Sequence, residues 1–168
     1  MREVCFLIEE QMRILKFMSE VTGRTDMTDF AKKMGLTVNQ TMDRVKALAE
    51  DGLVKKVGSG YAITEKGKIA LKAVAPLSPN MKYEFYAAIG QPAGFAAESV
   101  KQFYVSALNV PVASLEFHLY RGDFENWFRS AVADPEFAEE LANIKKANLK
   151  GEELRKAIKK AAELRYSL

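Results

Sequence analysis

The 168-residue sequence contains one cysteine, one histidine and one tryptophan. The lone cysteine, Cys5, excludes an internal disulfide and favours a reducing compartment. One cysteine and one histidine are also too few for a zinc site of the usual Cys/His kind. The sequence therefore predicts a protein without a disulfide framework and without a bound metal.

Long apolar runs are absent as well. No stretch approaches the roughly 18–20 apolar residues that a transmembrane helix needs. The acidic pair Glu9-Glu10 comes too early for a secretory signal peptide. We therefore expect a cytoplasmic protein that does not insert into membranes.

The motifs of common enzymes are also missing. There is no Gly-x-Ser-x-Gly, Walker-type loop or dinucleotide fingerprint, and the glycine-containing loop at 90–94 lacks the Lys-Ser/Thr that a phosphate loop requires. The carboxylate pairs Glu139-Glu140 and Glu152-Glu153 are adjacent on predicted helices, so their side chains point about 100° apart. We therefore expect neither an enzyme nor a cofactor.

The composition is that of a globular protein with a small positive charge. Hydrophobic residues make up 48% and charged residues 28% of the chain, and the net charge is +3. Residues 1–75 contain 13 Lys/Arg against 10 Asp/Glu, whereas residues 76–168 contain 12 against 12. The positive excess, a weak indication of nucleic-acid binding, therefore lies in the first half.

Residues 37–63 predict a helix followed by a hairpin. Thr37 is suited to cap the helix, and Asp51-Gly52 to end it. Strands at 53–57 and 61–63 can pair around Gly58-Ser59-Gly60, where glycine allows the positive φ of a tight turn. The apolar stripe of the helix consists of Val38, Thr41, Val45, Leu48 and Ala49.

Other helices surround this segment. Helices are predicted at 5–22, ended by Gly23, and at 27–34, capped by Thr25 or Asp26, with a turn at 35–37. A further helix follows Thr64. The sequence thus predicts three helices, a two-stranded hairpin and a closing helix.

The stretch MTDFAKKMGLTVNQTMDRVKALAEDGLVKKVGSGYAITEKGKIAL, residues 27–71, resembles the winged-helix transcription regulators of archaea and bacteria. This resemblance implies a helix-turn-helix that binds double-stranded DNA, with the hairpin as its wing. Regulators of this kind commonly pair, so that two recognition helices meet successive major grooves roughly 34 Å apart. We expect a homodimer, with Phe6, Leu7, Phe17 and the final helix as its apolar surface.

The predicted DNA-binding surface combines the polar face of the helix with the hairpin. Asn and Gln can read adenine edges, and Lys or Arg can contact guanine or phosphate. Asp43 and Glu50 add negative charge to this face, and the alternative is that all these residues are merely solvated. The surface consists of Asn39, Gln40, Asp43, Arg44 and Lys46 on the helix and Lys55, Lys56, Ser59 and Tyr61 on the hairpin.

A boundary is predicted at residues 76–80, since two prolines there oppose helix continuation. It separates a DNA-binding domain, 1–75, from a mostly helical domain, 81–168, for dimerisation or signal reception. The second domain is predicted to contain a strand at 82–89, a loop at 90–94 and helices at 97–108, 115–120, 124–132, from Asp134-Pro135 to about 147, and after Gly151, with Ser114 and Asp123 as caps.

The stretches AESVKQFY, SLEFHLYRGDFENWF and GEELRKAI, within residues 81–166, resemble an uncharacterised, mostly helical domain of archaea and bacteria. The resemblance implies no activity. His118, Tyr120 and Arg121 could form a ligand pocket, with His118 as acid/base or pH sensor. We favour the structural alternative, in which the aromatic residues form a core, Asp123 caps a helix and Arg121 pairs with a carboxylate.

The sequence as a whole predicts a mainly α protein. We expect a sequence-specific transcription regulator that occupies its operator as a dimer, without catalysis. The alternative is an adaptor whose winged helix docks a protein partner. In either case the second domain could sense a small molecule.

Overall fold

The computed structural model of the protein describes residues 2–21 and 26–168, with side chains from Glu9 onward. Within these ranges the chain forms nine α-helices and two separate two-stranded antiparallel sheets, which confirms the prediction of a mainly α protein. No helix in the described ranges is long and apolar enough to cross a bilayer. Gly23, Thr25 and the side chains of Cys5, Phe6 and Leu7 lie outside the described residues.

The chain divides into two compact units, one ending at Leu71 and the other spanning Lys72–Leu168. The elements of the first unit are α1 (Arg2–Glu20), α2 (Met27–Met34), α3 (Val38–Glu50), β1 (Val54–Val57), β2 (Gly60–Ile63) and most of α4 (Glu65–Val74). They follow one another in the order that the sequence predicts. The division falls inside α4, before the prolines of residues 76–80.

Local interactions explain where α2 and α3 begin and end. Asp26 caps α2 by accepting from the amide of Thr28, and Gly35 ends it with φ 71°. Thr37 begins α3 with a capping box, in which its hydroxyl accepts from the amide of Gln40 and the Gln40 side chain accepts from the amide of Thr37. The turn between the two helices is therefore short and fixed at both ends.

The hairpin pairs as predicted, with Val54 opposite Ile63 and Val57 opposite Gly60. Gly58 has φ 59°, so the turn uses the conformational freedom of glycine at this position. Gly60 lacks a positive φ, and only one of the two turn glycines needs one.

The core of the first unit lies between its helices and the start of the hairpin. Its buried residues are Ile14, Leu15, Phe30, Val45, Leu48, Leu53, Val54 and Ala70. Phe17 packs against this core, and its ring stacks on Phe30 with 4.8 Å between centroids. Phe17, predicted as dimer surface, thus uses part of its ring inside the unit and remains only partly buried.

Thr64 and Gly67 join α4 to the start of the hairpin. The Thr64 hydroxyl donates to the carbonyl of Gly52 (2.7 Å) and accepts from the amide of Gly67 (3.1 Å). Gly67 passes so close to β1 that a Cβ there would lie 2.2 Å from the carbonyl oxygen of Leu53. This contact leaves no room for a larger residue.

Replacing Gly67 with alanine should destabilise the protein by about 1–3 kcal/mol, because the helix and the Leu53 carbonyl must move apart. The helix propensity of alanine offsets only part of this cost. Urea denaturation measures the free energy of unfolding. The matched control is Gly60→Ala, whose Cβ would be 4.0 Å from the nearest heavy atom outside its neighbours. Equal stability of G67A and wild type would contradict the close approach.

The second unit is helical apart from one hairpin. It contains β3 (Tyr83–Ala88), β4 (Gln91–Ala97), α5 (Val100–Asn109), α6 (Val112–Arg121), α7 (Asp123–Ser130), α8 (Pro135–Lys146) and α9 (Gly151–Tyr166). A 3₁₀ turn, Pro79–Met81, precedes β3. The strand predicted at 82–89 is confirmed.

The loop predicted at 90–94 is wrong, since most of it forms β4. A two-stranded sheet consists of edge strands alone, where Pro92 is tolerated because its missing N–H need not pair. Gly94 takes φ 78°, and the pairing of β3 with β4 is irregular beyond Glu84. The next helix begins at Val100 rather than 97, with Ser99 accepting from the amide of Gln102 as its cap.

Two predicted caps are also wrong. Ser114 lies inside α6, which begins after Pro111, and its buried hydroxyl has no hydrogen-bond partner within the described residues. Asp123 is the first residue of α7, and its carboxylate accepts from His118 and Arg121 instead of a helix amide. Gly122 precedes it with φ 81°. The pairing of Arg121 with a carboxylate is confirmed.

Aromatic residues form the centre of the second unit. Phe103, Phe124 and Phe128 are fully buried, and Phe103 lies 5.0 Å from each of the other two rings. The core extends into α9 through Leu154, Ile158, Ala161, Ala162 and Tyr166. The prediction that α9 offers spare apolar surface is therefore mostly wrong, although Leu164 is 71% exposed.

Asp134 begins α8, as predicted, and also connects it to α9. Its carboxylate caps α8 at the amide of Phe137 and accepts from Arg165 (2.7 and 2.9 Å) and from the Tyr166 hydroxyl (2.6 Å). Burial alone would raise the pKa of Asp134, but these donors lower the pKa below its ordinary value. The buried charge is thus fully paired.

Candidate functional site

The polar face of α3 is open. Asn39, Gln40, Asp43 and Lys46 are exposed, whereas Thr41, Val45 and Leu48 are buried on the other side of the helix. The first four residues thus form one accessible surface within the first unit.

Gln40 of this surface and the half-buried Arg44 beside it have structural partners. The Gln40 carbonyl oxygen is held in the capping box, 3.0 Å from the Thr37 amide, which leaves only its side-chain NH₂ to donate outward. The Arg44 Nε donates to Glu10 of α1 at 3.1 Å, and this pair ties α3 to α1. Asn39, Asp43 and Lys46 have no side-chain hydrogen bond within the described residues.

The hairpin adds two exposed lysines. Neither Lys55 nor Lys56 has an acidic partner within 4 Å among the side chains that the structure describes. As neighbours in β1 they point to opposite faces of the hairpin. Ser59 is exposed in the turn, and Tyr61, opposite Lys56, is half-buried against the core. Of the four predicted hairpin residues, Lys55, Lys56 and Ser59 are therefore accessible, whereas the Tyr61 ring packs against the core.

The charges beside α3 are mixed. Asp43, Glu50 and Asp51 are exposed on the helix and its end, against the exposed Lys46. The hairpin supplies Lys55 and Lys56 without an acid of its own. The positive charge of this surface is therefore concentrated on the hairpin.

A second candidate site is a cavity of about 370 Å³ in the second unit, between the β3–β4 hairpin and the end of α6. Its volume falls in the range of roughly 300–1,000 Å³ that small-molecule sites occupy. The lining residues are Tyr83, Glu84, Tyr86, Ala88, Ile89, Gly90, Phe117, His118, Arg121 and Asp123. Of the three residues predicted for a pocket, His118 and Arg121 are present.

Tyr120, the third predicted residue, does not line this cavity. Its hydroxyl donates to the carbonyl of Leu149 at 2.5 Å, and Lys150 lies over its ring at 3.8 Å. At about 100° per residue, Tyr120 lies about 200° around α6 from His118 and about 100° from Arg121, and it points away from both. Its role is to hold the segment before α9.

His118 is buried with both ring nitrogens engaged. The backbone N–H of Tyr86 donates to Nε2 at 2.7 Å, which assigns the proton to Nδ1, and Nδ1 donates to Asp123 at 2.8 Å. Burial lowers the pKa of His118, while the hydrogen bond and charge of Asp123 oppose this shift. A neutral imidazole fixed at both nitrogens joins β3 to α7 and has no proton to exchange with a ligand.

Sequence reasoning missed the side of the cavity that the β3–β4 hairpin forms, and two of its residues matter most. Tyr83 is 7% exposed, and its hydroxyl has no hydrogen-bond partner in the part of the chain that the structure describes. Burial raises the pKa of Tyr83, as does the Asp123 carboxylate, so the hydroxyl is a donor at neutral pH. Ile89, at the hairpin turn, is 81% exposed. The alternating aromatic residues of β3 predict a buried strand, but this pattern does not indicate that the strand borders a cavity.

Residues 9–21 and 26–168 contain no cluster of three His, Cys, Asp or Glu side chains that could hold a metal ion. No protein-family model, characterised protein or solved structure that we compared matches the chain.

His118 should make the stability of the protein sensitive to mild acid. Its pKa is lower in the folded than in the unfolded protein, so the unfolded chain takes up the proton first as the pH falls. The stability that neutral His118 contributes is fully present above the pKa of an unfolded histidine, about 6.5. This stability is lost as the pH falls from there through the pKa of His118 in the folded protein. We expect a decline of at most about 1.4 kcal/mol per pH unit in urea denaturation between pH 7.5 and 5.5.

His118→Gln should abolish this decline, since the chain has no other histidine. It should also cost about 1–3 kcal/mol at pH 7.5 through lost hydrogen bonds. Tyr120→Phe is the control, because it removes one hydrogen bond but leaves His118 in place. An unchanged pH dependence in H118Q would refute the assignment.

Proposed function

We propose that the first unit is a winged-helix module that binds double-stranded DNA, and that the protein regulates transcription by occupying an operator. One observation carries the proposal. The exposed polar face of α3 is followed directly by a hairpin whose two lysines have no acidic partner among the described side chains. The resemblance of residues 27–71 to winged-helix regulators supports the same function.

The connection between α2 and α3 supports a helix-turn-helix. Only residues 35–37 separate the two helices, and Gly35 makes the bend in the left-handed conformation. A turn of three to four residues containing glycine is typical of this motif, whose second helix enters the major groove. In this function α3 is the recognition helix and the β1–β2 hairpin is the wing.

The accessible side chains have different tasks in this proposal. Asn39, near the start of α3, would read a base edge, since an Asn can form a bidentate contact with adenine. Lys46, Lys55 and Lys56 would contact phosphates, which position the protein without reading sequence. Gln40 and Arg44 are restricted by their bonds to Thr37 and Glu10 and would contribute less.

A homodimer would place two copies of α3 in successive major grooves, roughly 34 Å apart. With part of the Phe17 ring and most of α9 used internally, Leu164 is the exposed apolar residue of α9 that a dimer would cover. Sedimentation of the full chain at working concentration distinguishes a dimer from a monomer.

The double variant Lys55→Ala/Lys56→Ala should bind every duplex more weakly, because phosphate contacts do not depend on sequence. The slope of log K against log salt should become less steep by about 1–2 units. Fluorescence anisotropy with labelled duplexes over a salt series measures both quantities.

The matched control is Lys68→Ala. Lys68 is also exposed and in the first unit, but its amine is paired with Glu65 at 2.6 Å. Lys68→Ala should leave the slope of log K against log salt unchanged. If the double variant and wild type share the same affinity and slope, the hairpin is not a DNA-binding wing.

A protein-docking adaptor is the second candidate. It is favoured by the acidic groups of the same face, since Asp43, Glu50 and Asp51 would repel phosphates. No duplex binding at low salt would support it over the regulator.

Asp43→Asn separates the two candidates. If α3 lies against DNA, removing this charge should raise duplex affinity roughly three- to tenfold, the effect of a repulsion of about 1 kcal/mol. The control Glu140→Gln removes an exposed charge of the second unit and should change nothing. An unchanged affinity of D43N for duplexes that the wild type binds would place α3 away from the phosphates.

A further inference from the structure

We propose that the cavity between the β3–β4 hairpin and α6 binds a small carboxylate with an apolar body. The proposal concerns the second unit alone and does not depend on DNA binding. It rests on a positioned guanidinium whose Nη groups make no hydrogen bond within the described residues, on apolar walls, and on cavity carboxylates that already have partners.

Arg121 is held in place on two sides. Its Nε donates to Asp123 at 3.2 Å, and its guanidinium lies over the Phe117 ring, 4.8 Å from the centroid. Its two Nη groups make no hydrogen bond within the described residues. Two parallel N–H donors on a fixed guanidinium match the two oxygens of a carboxylate.

The other charged groups at the cavity already have partners. Asp123 accepts from both His118 and Arg121, and Glu84 accepts from the Tyr86 hydroxyl (3.1 Å) and pairs with Lys82 (3.5 Å). His118 is neutral, with its proton directed at Asp123. Each carboxylate therefore has a cationic partner, Arg121 for Asp123 and Lys82 for Glu84, and the Nη groups of Arg121 are charged donors that remain for an anion.

The apolar part of the ligand would contact the hairpin turn. Ile89 lines the cavity together with Ala88 and Phe117, and 81% of its surface is exposed. Covering this side chain with an apolar ligand removes a large hydrophobic surface from water. A bare inorganic anion would leave the surface uncovered, so the arrangement favours an aliphatic or aromatic acid.

Tyr83 adds a buried donor without a partner in the described chain. An oxygen atom of a ligand would satisfy it, which is favourable because an unpaired buried hydroxyl costs free energy. The hydroxyl is covered, so this bond requires neighbouring side chains to move slightly apart. Arg121 is therefore the main anchor.

The test is calorimetric titration of the full chain with 3-phenylpropionate. Three related compounds are titrated for comparison. The amide, 3-phenylpropanamide, keeps the phenylpropyl group but has no charge. Phenylalanine adds an ammonium group, and phenyl phosphate has a phosphate in place of the carboxylate. We expect saturable 1:1 binding of 3-phenylpropionate and binding of the amide at least tenfold weaker. Tighter binding of phenyl phosphate than of the carboxylate would overturn the assigned ligand class.

Two variants address the two halves of the site. Arg121→Gln should weaken binding of 3-phenylpropionate roughly 10- to 100-fold, the effect of losing a charge-assisted pair. Ile89→Glu should also weaken it at least tenfold, through lost apolar contact and added repulsion. Thermal unfolding of each variant verifies that it is folded, which is expected because both side chains are at least half exposed.

The controls are Arg129→Gln and Val105→Glu. Arg129 is as exposed as Arg121, with 48% against 50% of the side chain accessible, but it pairs with Glu139 away from the cavity. Val105 is an exposed apolar residue of α5, 49% accessible. Both variants should bind like the wild type. No saturable binding of the carboxylates by the wild type, or equal binding by R121Q and I89E, would overturn the proposal.

Discussion

The packing of α4 against the start of the β1–β2 hairpin depends on one close contact, that of Gly67 with the carbonyl of Leu53. The contact is possible because Gly67 has no side chain, and Thr64 completes it by bonding to Gly52 and to the Gly67 amide. Gly52 ends α3, so three elements meet within a few residues. The junction thus holds the hairpin that carries Lys55 and Lys56 at the end of α3 and the start of α4.

In the second unit, the arrangement depends on a neutral histidine. His118 receives a hydrogen bond from β3 and donates one to the first residue of α7, so a single ring connects the hairpin to two helices. This use of both nitrogens leaves neither of them available to a ligand. Arg121, three residues further along α6, has two Nη groups without a hydrogen bond among the described residues.

Sequence reasoning succeeded where the signal is local. The helix cap at Thr37, the turn glycines at 35 and 58 and the Asp134-Pro135 helix start all act within a few residues, and the structure has each of them. It failed at β4, because proline and glycine were interpreted as a loop although an edge strand accepts both. It failed also at Asp123, whose bonds go to side chains that local capping rules do not consider.

The sequence alone determined the mainly helical class, the order of elements in the first unit and the centre of the buried stripe of α3, because helix periodicity, caps and turn glycines are short-range effects. Val38, predicted in that stripe, is 40% exposed at the start of the helix. The tertiary structure decided which polar groups remain available. It paired Arg44 with Glu10 and turned Tyr120 towards Leu149, and it brought Tyr83 and Ile89 to Arg121. Such pairings join residues 29 or more positions apart, and no local pattern specifies which of the possible partners a folded chain brings together.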